Sequence, residues 1–429
     1  MTDDVRMVGF SQRQTVAAAL AWLDAQTPRP LDAEPVPLRD AAGRVLAHAI
    51  TSEVDVPGFD RATMDGYAVL SNSTEGASAY NRIELRVLGD ALPGAPFDGS
   101  IGAGQAVRIM TGAPMPRGAD AVLPAEWIEP ADRPAITATA SVSPGKHVGL
   151  RGEDIARGTV ILEAGRVLRP QDLGIISSIG REEVAAVRRP VVALAITGNE
   201  LLPAGTTPHG ARIADANGPM LEALVQRDGG LLGGTARCAT LVRDDAEAIL
   251  AALHAPADIV IVSGGSSVGI EDLAPTLLAS HGELAIHGVA MRPSSPTGMG
   301  RLEHRLVFLL PGNPVSSLCA YDFFAGRAIR ALGGRDRTWP YRAIRGTLTR
   351  KISSPIGRLD YARVKIDAGR ASHVGGGSRS SPGETAVEPI AIAGASVLSS
   401  TTRADGFVVV PDDSEGFAAG AEVDVWLYA

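Results

Sequence analysis

Cysteine is nearly absent from this 429-residue chain. Cys238 and Cys319 both sit in apolar stretches, and two such residues supply neither a disulfide framework nor a zinc cluster. Aromatics make up only 4% of the sequence, while 49 Gly and 29 Pro indicate many turns and hinges. No apolar run approaches the ~20 residues that a membrane-crossing helix needs. The N-terminus lacks the basic, apolar and small-residue succession of a signal peptide, so the expected compartment is the cytoplasm. Positive charge is not in surplus: 40 Lys and Arg stand against 48 Asp and Glu, for a net charge of −8 and a pI near 5.6. That balance argues against broad binding of a nucleic-acid backbone. An anionic small molecule remains compatible with it, because backbone amides and a few local cations suffice to bind one.

What is present is a globular composition, 45% hydrophobic and 21% charged. The length exceeds one typical core and suggests about two to four domains. The stretch that organises the chain is ADIVIVSGGSSVGIED at 257–272. Residues 258–262 form a short, mostly Ile and Val run, as expected for a strand buried on both faces. It ends in Ser263-Gly264-Gly265-Ser266-Ser267, where small residues let the backbone turn sharply and approach a ligand closely. Glu271 and Asp272 follow, just ahead of the helical pattern of Leu273, Leu277 and Leu278. A strand, a Gly/Ser loop with bare N–H groups and a helix start make a seat for an anion. Acidic side chains at its lip could hold a metal ion beside that anion. Read alone, the same residues make only a tight turn, with Asp272 as a helix cap.

A second stretch, LVFLLPGN at 306–313, again reads as a buried strand ending in a Gly turn. Asn313 and Pro314 then suit an N-cap and first helical residue. Two strands of one sheet would deliver loops and helix starts to a single edge, where open α/β sheets bind ligands.

From the beginning, the pattern predicts an amphipathic helix over 11–25, with Ser11 and Gln14 as a capping box and Val16, Leu20 and Leu23 on one face. Pro28, Pro30, Pro35 and Pro37 force an extended connection. Asp65 sits between Met64 and Gly66, as either a loop cap or a metal ligand. Short β-type segments at 83–88, 105–110 and 121–124 predict a small all-β domain, and Thr111 lies in a turn after one of them. A helix is expected over 171–179. From 191 strands and helices alternate, with helices over 217–228 and 244–253. Asp244 and Glu247 fit a D-x-x-E capping box, which gives Asp244 a structural task. After Trp339-Pro340 short strands return at 361–366, 407–410 and 423–427, with a glycine-rich loop at 375–378 between them.

The segments VPGFDRATMDGYAV, RIMTGAPMPRGADAV, GEDI, ITGNEL, LVRDD, SGGSSVGIED and LPGNPVSS occur in that order. One such motif is weak evidence; together they resemble the MoeA family, the molybdopterin molybdenumtransferases related to the E domain of gephyrin. The resemblance implies an elongated α/β multidomain homodimer. Its parts would be an outer two-segment domain (1–57 and 151–187), an inserted β domain (58–150), a molybdopterin-binding α/β domain (188–333) and a C-terminal β domain (334–429). It also implies that adenylylated molybdopterin and molybdate meet in a cleft between subunits. Molybdate is there inserted into the dithiolene and AMP released, with Mg²⁺ assisting.

By motif match the metal-holding, catalytic carboxylates would be Asp65, Glu200, Asp244 and Asp272, with Thr111 nearby. A phosphoanhydride needs a cation to offset its charge. Gly264, Gly265, Ser266 and Ser267 would bind the pterin or its phosphate, and Asn313 and Ser316 would present a helix start to the oxyanion. Arg292, Ser295, Arg363 and Ser396 would complete the substrate contacts. An upstream adenylyltransferase and client molybdoenzymes are the implied protein partners; neither nucleic acid nor membrane is expected.

The departures concern the oxyanion. The family pattern K-P-G-K-P corresponds here to Arg292-Pro293-Ser294-Ser295-Pro296, so one lysine is replaced by Arg292 and the other by Ser295. A family Gly-Ser aligns with Gly394-Ala395, with Ser396 next to it; Asn199 stands where Asp is usual and Ala62 where Ser is frequent. The leading expectation is a working molybdenumtransferase. The alternatives are a molybdopterin-binding carrier that has lost insertion, or a divergent transferase for another oxyanion. A CinA-like hydrolase sharing only the α/β domain fails, because MDGYA and TGAP match as well.

Overall fold

The computed structural model describes residues 13–130, 134–233, 238–265, 273–367, 385–391 and 396–428. Two compact units emerge, Pro35–Ala186 and Met1–Glu34 with Val187–Ala429.

In the larger unit, helix α1 (Val16–Gln26) is capped by Thr15, whose side chain accepts the Ala18 N–H at 3.1 Å. The expected capping box therefore shifts. Ser11 lies outside the described residues, and Gln14 forms an isolated bridge to Val289. Val16, Ala19 and Leu23 are buried in a core that also holds Leu221, Val225 and Phe324. Burying one such leucine is worth about 2 kcal/mol, which explains why residues 13–34 join this unit.

The central sheet is built on three parallel strands, β1 (Val191–Thr197), β2 (Ile259–Ser263) and β3 (Arg305–Leu310). Short strands Leu231–Leu232 and Thr240–Val242 pair with β1, and antiparallel Gly298–Leu302 and Glu283–His287 extend the sheet beyond β3. Alternation along β1 shows why the sheet is sandwiched. Val192, Leu194 and Ile196 face the core of helix α2 (Asn217–Arg227), while Ala193 and Ala195 face that of helix α3 (Ala246–Leu253). The crossover through α2 returns the chain to one side of β1 and that through α3 carries it from Thr240–Val242 to β2 on the other, so the carboxyl end of β1 is a topological switch point.

Beyond the helical run that starts with α4 (Pro314–Ala320), the C-terminal strands close into a barrel. Leu359–Asp367 pairs with both Ala386–Ala391 and Gly406–Val410, and the ring continues through Arg342–Leu348 and Glu422–Leu427. The scarce aromatics concentrate at its junction with the helices: Trp339 meets Phe323, Phe407 and Trp426 edge-on, with centroids 4.8–5.4 Å apart. The predicted loop at 375–378 lies outside the described residues.

Pro35–Ala186 contains a six-stranded sheet in the order Ala121–Pro124, Gly66–Val69, Gln105–Ile109, Ile83–Ala91, Ala135–Ala138, Ile128–Pro130. A separate core in the same unit gathers Val36, Leu46, Ile155, Leu168 and Ile176. The helix expected at 171–179 runs Pro170–Ser178, and the Asp172 carboxylate accepts the Arg169 backbone N–H at 2.9 Å. The Arg166 and Arg169 guanidinium groups hold that carboxyl well below the usual carboxylate range.

Candidate active site

Strands β1, β2 and β3 are in register at their carboxyl ends, with Ile196 opposite Ser263 and Ser263 opposite Leu310. The loops that follow, Thr197-Gly198, Gly264-Gly265 and Pro311-Gly312-Asn313, line one cleft of roughly 530 Å³. Gly264 is required there. Its φ of +104° suits glycine, and a Cβ would fall 2.3 Å from the Thr197 carbonyl oxygen.

Of the residues singled out from sequence, Glu200, Asp244, Gly264, Gly265, Asn313 and Ser396 all line this cleft. Gly198 leaves room for the first of them, since a Cβ there would lie 2.8 Å from the Glu200 carboxylate. Asp244 is not the cap of α3. The cap is Asp245, whose side chain accepts the Ala248 N–H at 2.8 Å. Asp244 instead accepts the Asn199 backbone N–H at 2.9 Å. It is freed from the structural task that its sequence suggested.

The described lining carries three carboxylates, Glu200, Asp215 and Asp244, and no Lys, Arg or His. Asp215 is partly committed, accepting the Gly218 N–H at 2.9 Å. A polyphosphate could not approach Glu200 and Asp244 without a cation between them. Mg²⁺ fits this donor set, because it is commonly held by one or two carboxylates together with substrate phosphates. Among the described residues no group of three or more ligating side chains offers a protein-only cage.

Asn313 is the N-cap of α4 but makes no side-chain cap hydrogen bond, which leaves its amide available to the cleft. Ser316 is buried, and its carbonyl accepts the Ser294 hydroxyl at 2.5 Å. The Arg292–Pro296 loop reaches the cleft through Pro296. Arg292 pairs in parallel register with Asp360, and its guanidinium donates to that fully buried carboxylate at 2.7 Å. Arg358 donates to the other Asp360 oxygen at 3.1 Å. The Ser295 hydroxyl is enclosed without a hydrogen-bond partner among the described residues, and Arg363 is fully buried. Ser266, Ser267, Asp272, Gly394 and Ala395 lie outside the described residues.

In the Pro35–Ala186 unit, antiparallel pairing of Gly66 with Ile109 brings Asp65 beside Thr111. One Asp65 oxygen accepts both the Thr111 N–H (2.7 Å) and its hydroxyl (2.8 Å). These bonds hold the Asp65 carboxyl below its ordinary range, so it is ionised at neutral pH.

Sequence reasoning missed three polar residues in the cleft wall, Thr197, Asp215 and Asn217, and the anchor Asp360. The available signal was Asp215-Ala216-Asn217, a polar pair at a helix start.

Residues 14–180 match the MoeA N-terminal region (domain I and II), residues 193–331 a probable molybdopterin binding domain, and residues 345–428 the MoeA C-terminal region (domain IV). The chain is 33% identical over 400 residues to molybdopterin molybdenumtransferase 2 of Mycobacterium tuberculosis, covering 91% of this chain and 94% of that one. Identity to a molybdopterin molybdenumtransferase of Staphylococcus aureus is 32% over 399 residues, covering 91% and 90%. A crystal structure of a molybdopterin biosynthesis MoeA protein from Pyrococcus horikoshii aligns with a TM-score of 0.79 at 31% identity, covering 97% of this chain and 99% of that one.

Proposed function

This chain belongs to the MoeA family, the molybdopterin molybdenumtransferases of molybdenum cofactor biosynthesis, and on that premise we propose that it inserts molybdate into adenylylated molybdopterin with release of AMP. The observation that carries this reading is the pairing of Glu200 and Asp244 on one cleft whose described lining has no basic side chain. Glu200 and Asp244 would hold Mg²⁺ there, and it would supply charge neutralisation to the phosphoanhydride. The chain's own residues do the rest. Asn199 fixes Asp244 through its backbone N–H, Gly198 and Gly264 keep the walls open, and Asn313 offers its amide at the start of α4. The Arg292 loop is the seat of the oxyanion. The setting is the cytoplasm, with an adenylyltransferase upstream and molybdoenzymes as recipients.

We also infer a homodimer in which Asp65 and Thr111 of a second copy complete the site. Asp65 and Glu200 belong to different units of the chain, so each can be damaged separately. Asp65→Ala and Glu200→Ala proteins should each be inactive in AMP release. After verified subunit exchange, the mixture should recover activity toward about a quarter of the wild-type level, since random pairing makes half the dimers mixed and each mixed dimer carries one undamaged site. Recovery absent after exchange rules out sites shared between chains.

A further inference from the structure

Thr197 and Asn217 line the floor of the cleft. They are only 5% and 6% exposed, and each holds one polar atom, Thr197 Oγ1 and Asn217 Oδ1, with no hydrogen-bond partner among the described residues. Buried side chains in native proteins are ordinarily satisfied, and an orphan calls for an explanation. The orientation of the Asn217 amide is fixed by its neighbours. Its Nδ2 donates to the Gly312 carbonyl at 2.8 Å and to Ser263 Oγ at 3.0 Å, and a carbonyl can only accept. Asn217 Oδ1 is therefore a fixed acceptor in need of an N–H or O–H. The Thr197 hydroxyl can donate or accept, and the Gly264 backbone passes close beside it, since a Cβ there would lie 2.7 Å from Oγ1.

A fixed acceptor with the Asp215 carboxylate also in the wall repels phosphate and molybdate. It suits a neutral heterocycle with an N–H edge. We propose that Thr197 and Asn217 are specificity-determining residues that hydrogen-bond the aminopyrimidinone edge of the pterin at the cleft floor. Asn217 Oδ1 accepts from the ring's amino or N–H group, and the Thr197 hydroxyl pairs with the adjacent polar atom. The ring then points inward and the phosphate outward, toward Glu200 and Asp244. This assignment rests on the proposed function for the identity of the ring.

Thr197→Val tests it, because valine has nearly the same shape and removes only the orphan hydroxyl. Binding of molybdopterin to the full-length protein is measured together with the melting temperature. Competition by 6-hydroxymethylpterin and by its analogue lacking the 2-amino group is measured on the wild type. The expected result is molybdopterin binding weakened about tenfold in Thr197→Val, with a melting temperature equal to or above wild type. On the wild type, the pterin should compete at least about tenfold better than the analogue. A structural role for the hydroxyl would lower the melting temperature instead, and that outcome overturns the assignment. Equal binding by variant and wild type, or equal competition by the two compounds, also overturns it and leaves the proposed function intact. Wild-type protein that binds no molybdopterin overturns both.

Discussion

Glu200→Gln should cut AMP release from adenylylated molybdopterin at least about a hundredfold, the scale on which catalytic groups act, with no loss of stability. Glu200 is exposed on the cleft wall, and an exposed substitution of this kind changes stability by less than about 0.5 kcal/mol. Glutamine keeps the shape and loses the charge, so the variant isolates what the carboxylate does for a cation. The Mg²⁺ concentration giving half-maximal rate should rise in Glu200→Gln, whereas binding of molybdopterin alone should not change. A normal rate at ordinary Mg²⁺ would remove Glu200 from the metal site and leave that role, among the described carboxylates, to Asp244 and to Asp65 of the second copy.

Ser295→Lys should lower the molybdate requirement roughly ten- to a hundredfold. Molybdate is a dianion, and one cation within a few ångströms of it is worth about 4 kcal/mol at an effective dielectric near 20, before desolvation. The net gain is smaller, on the order of 1–3 kcal/mol for a charge-assisted hydrogen bond, which gives the stated range. If the Arg292 loop seats the oxyanion as proposed, the wild-type pocket should be weaker than its arginine suggests. The Arg292 guanidinium already donates to Asp360, and that buried carboxylate is shared with Arg358, so part of its charge is neutralised. Arg292 still has donors left for an oxyanion, since its planar fork carries five. A steady-state molybdate titration with pterin affinity measured alongside checks the effect. A wild type that saturates at low micromolar molybdate and is impaired by Ser295→Lys would show a pocket rebuilt around other donors.

Local punctuation made much of the site legible. Gly264, Asn313 and Pro314 mark strand ends and helix starts by their own conformational preferences, and the structure puts all three at one cleft. Asp244 was harder, because it stands next to a second aspartate. The chain offers Asp244 and Asp245 to the same helix start, and only the geometry shows Asp245 as the cap. Contacts between distant segments were not legible at all. Asn217 meets Gly312 across 95 residues and Arg292 meets Asp360 across 68, and neither partner carries a local pattern that announces the other. The barrel shows the same limit: its short strands alternate visibly, whereas the double pairing of Leu359–Asp367 that closes the ring depends on register between strands far apart in sequence.

The most direct test of the central claim is single-turnover AMP release by the wild-type protein from adenylylated molybdopterin, with Mg²⁺ present and molybdate and then tungstate titrated in. Molybdate insertion by this chain requires release that depends on both Mg²⁺ and oxyanion, with a high half-maximal molybdate concentration that Ser295→Lys lowers. AMP release at the same rate without any oxyanion, or none at any molybdate or tungstate concentration, would contradict it.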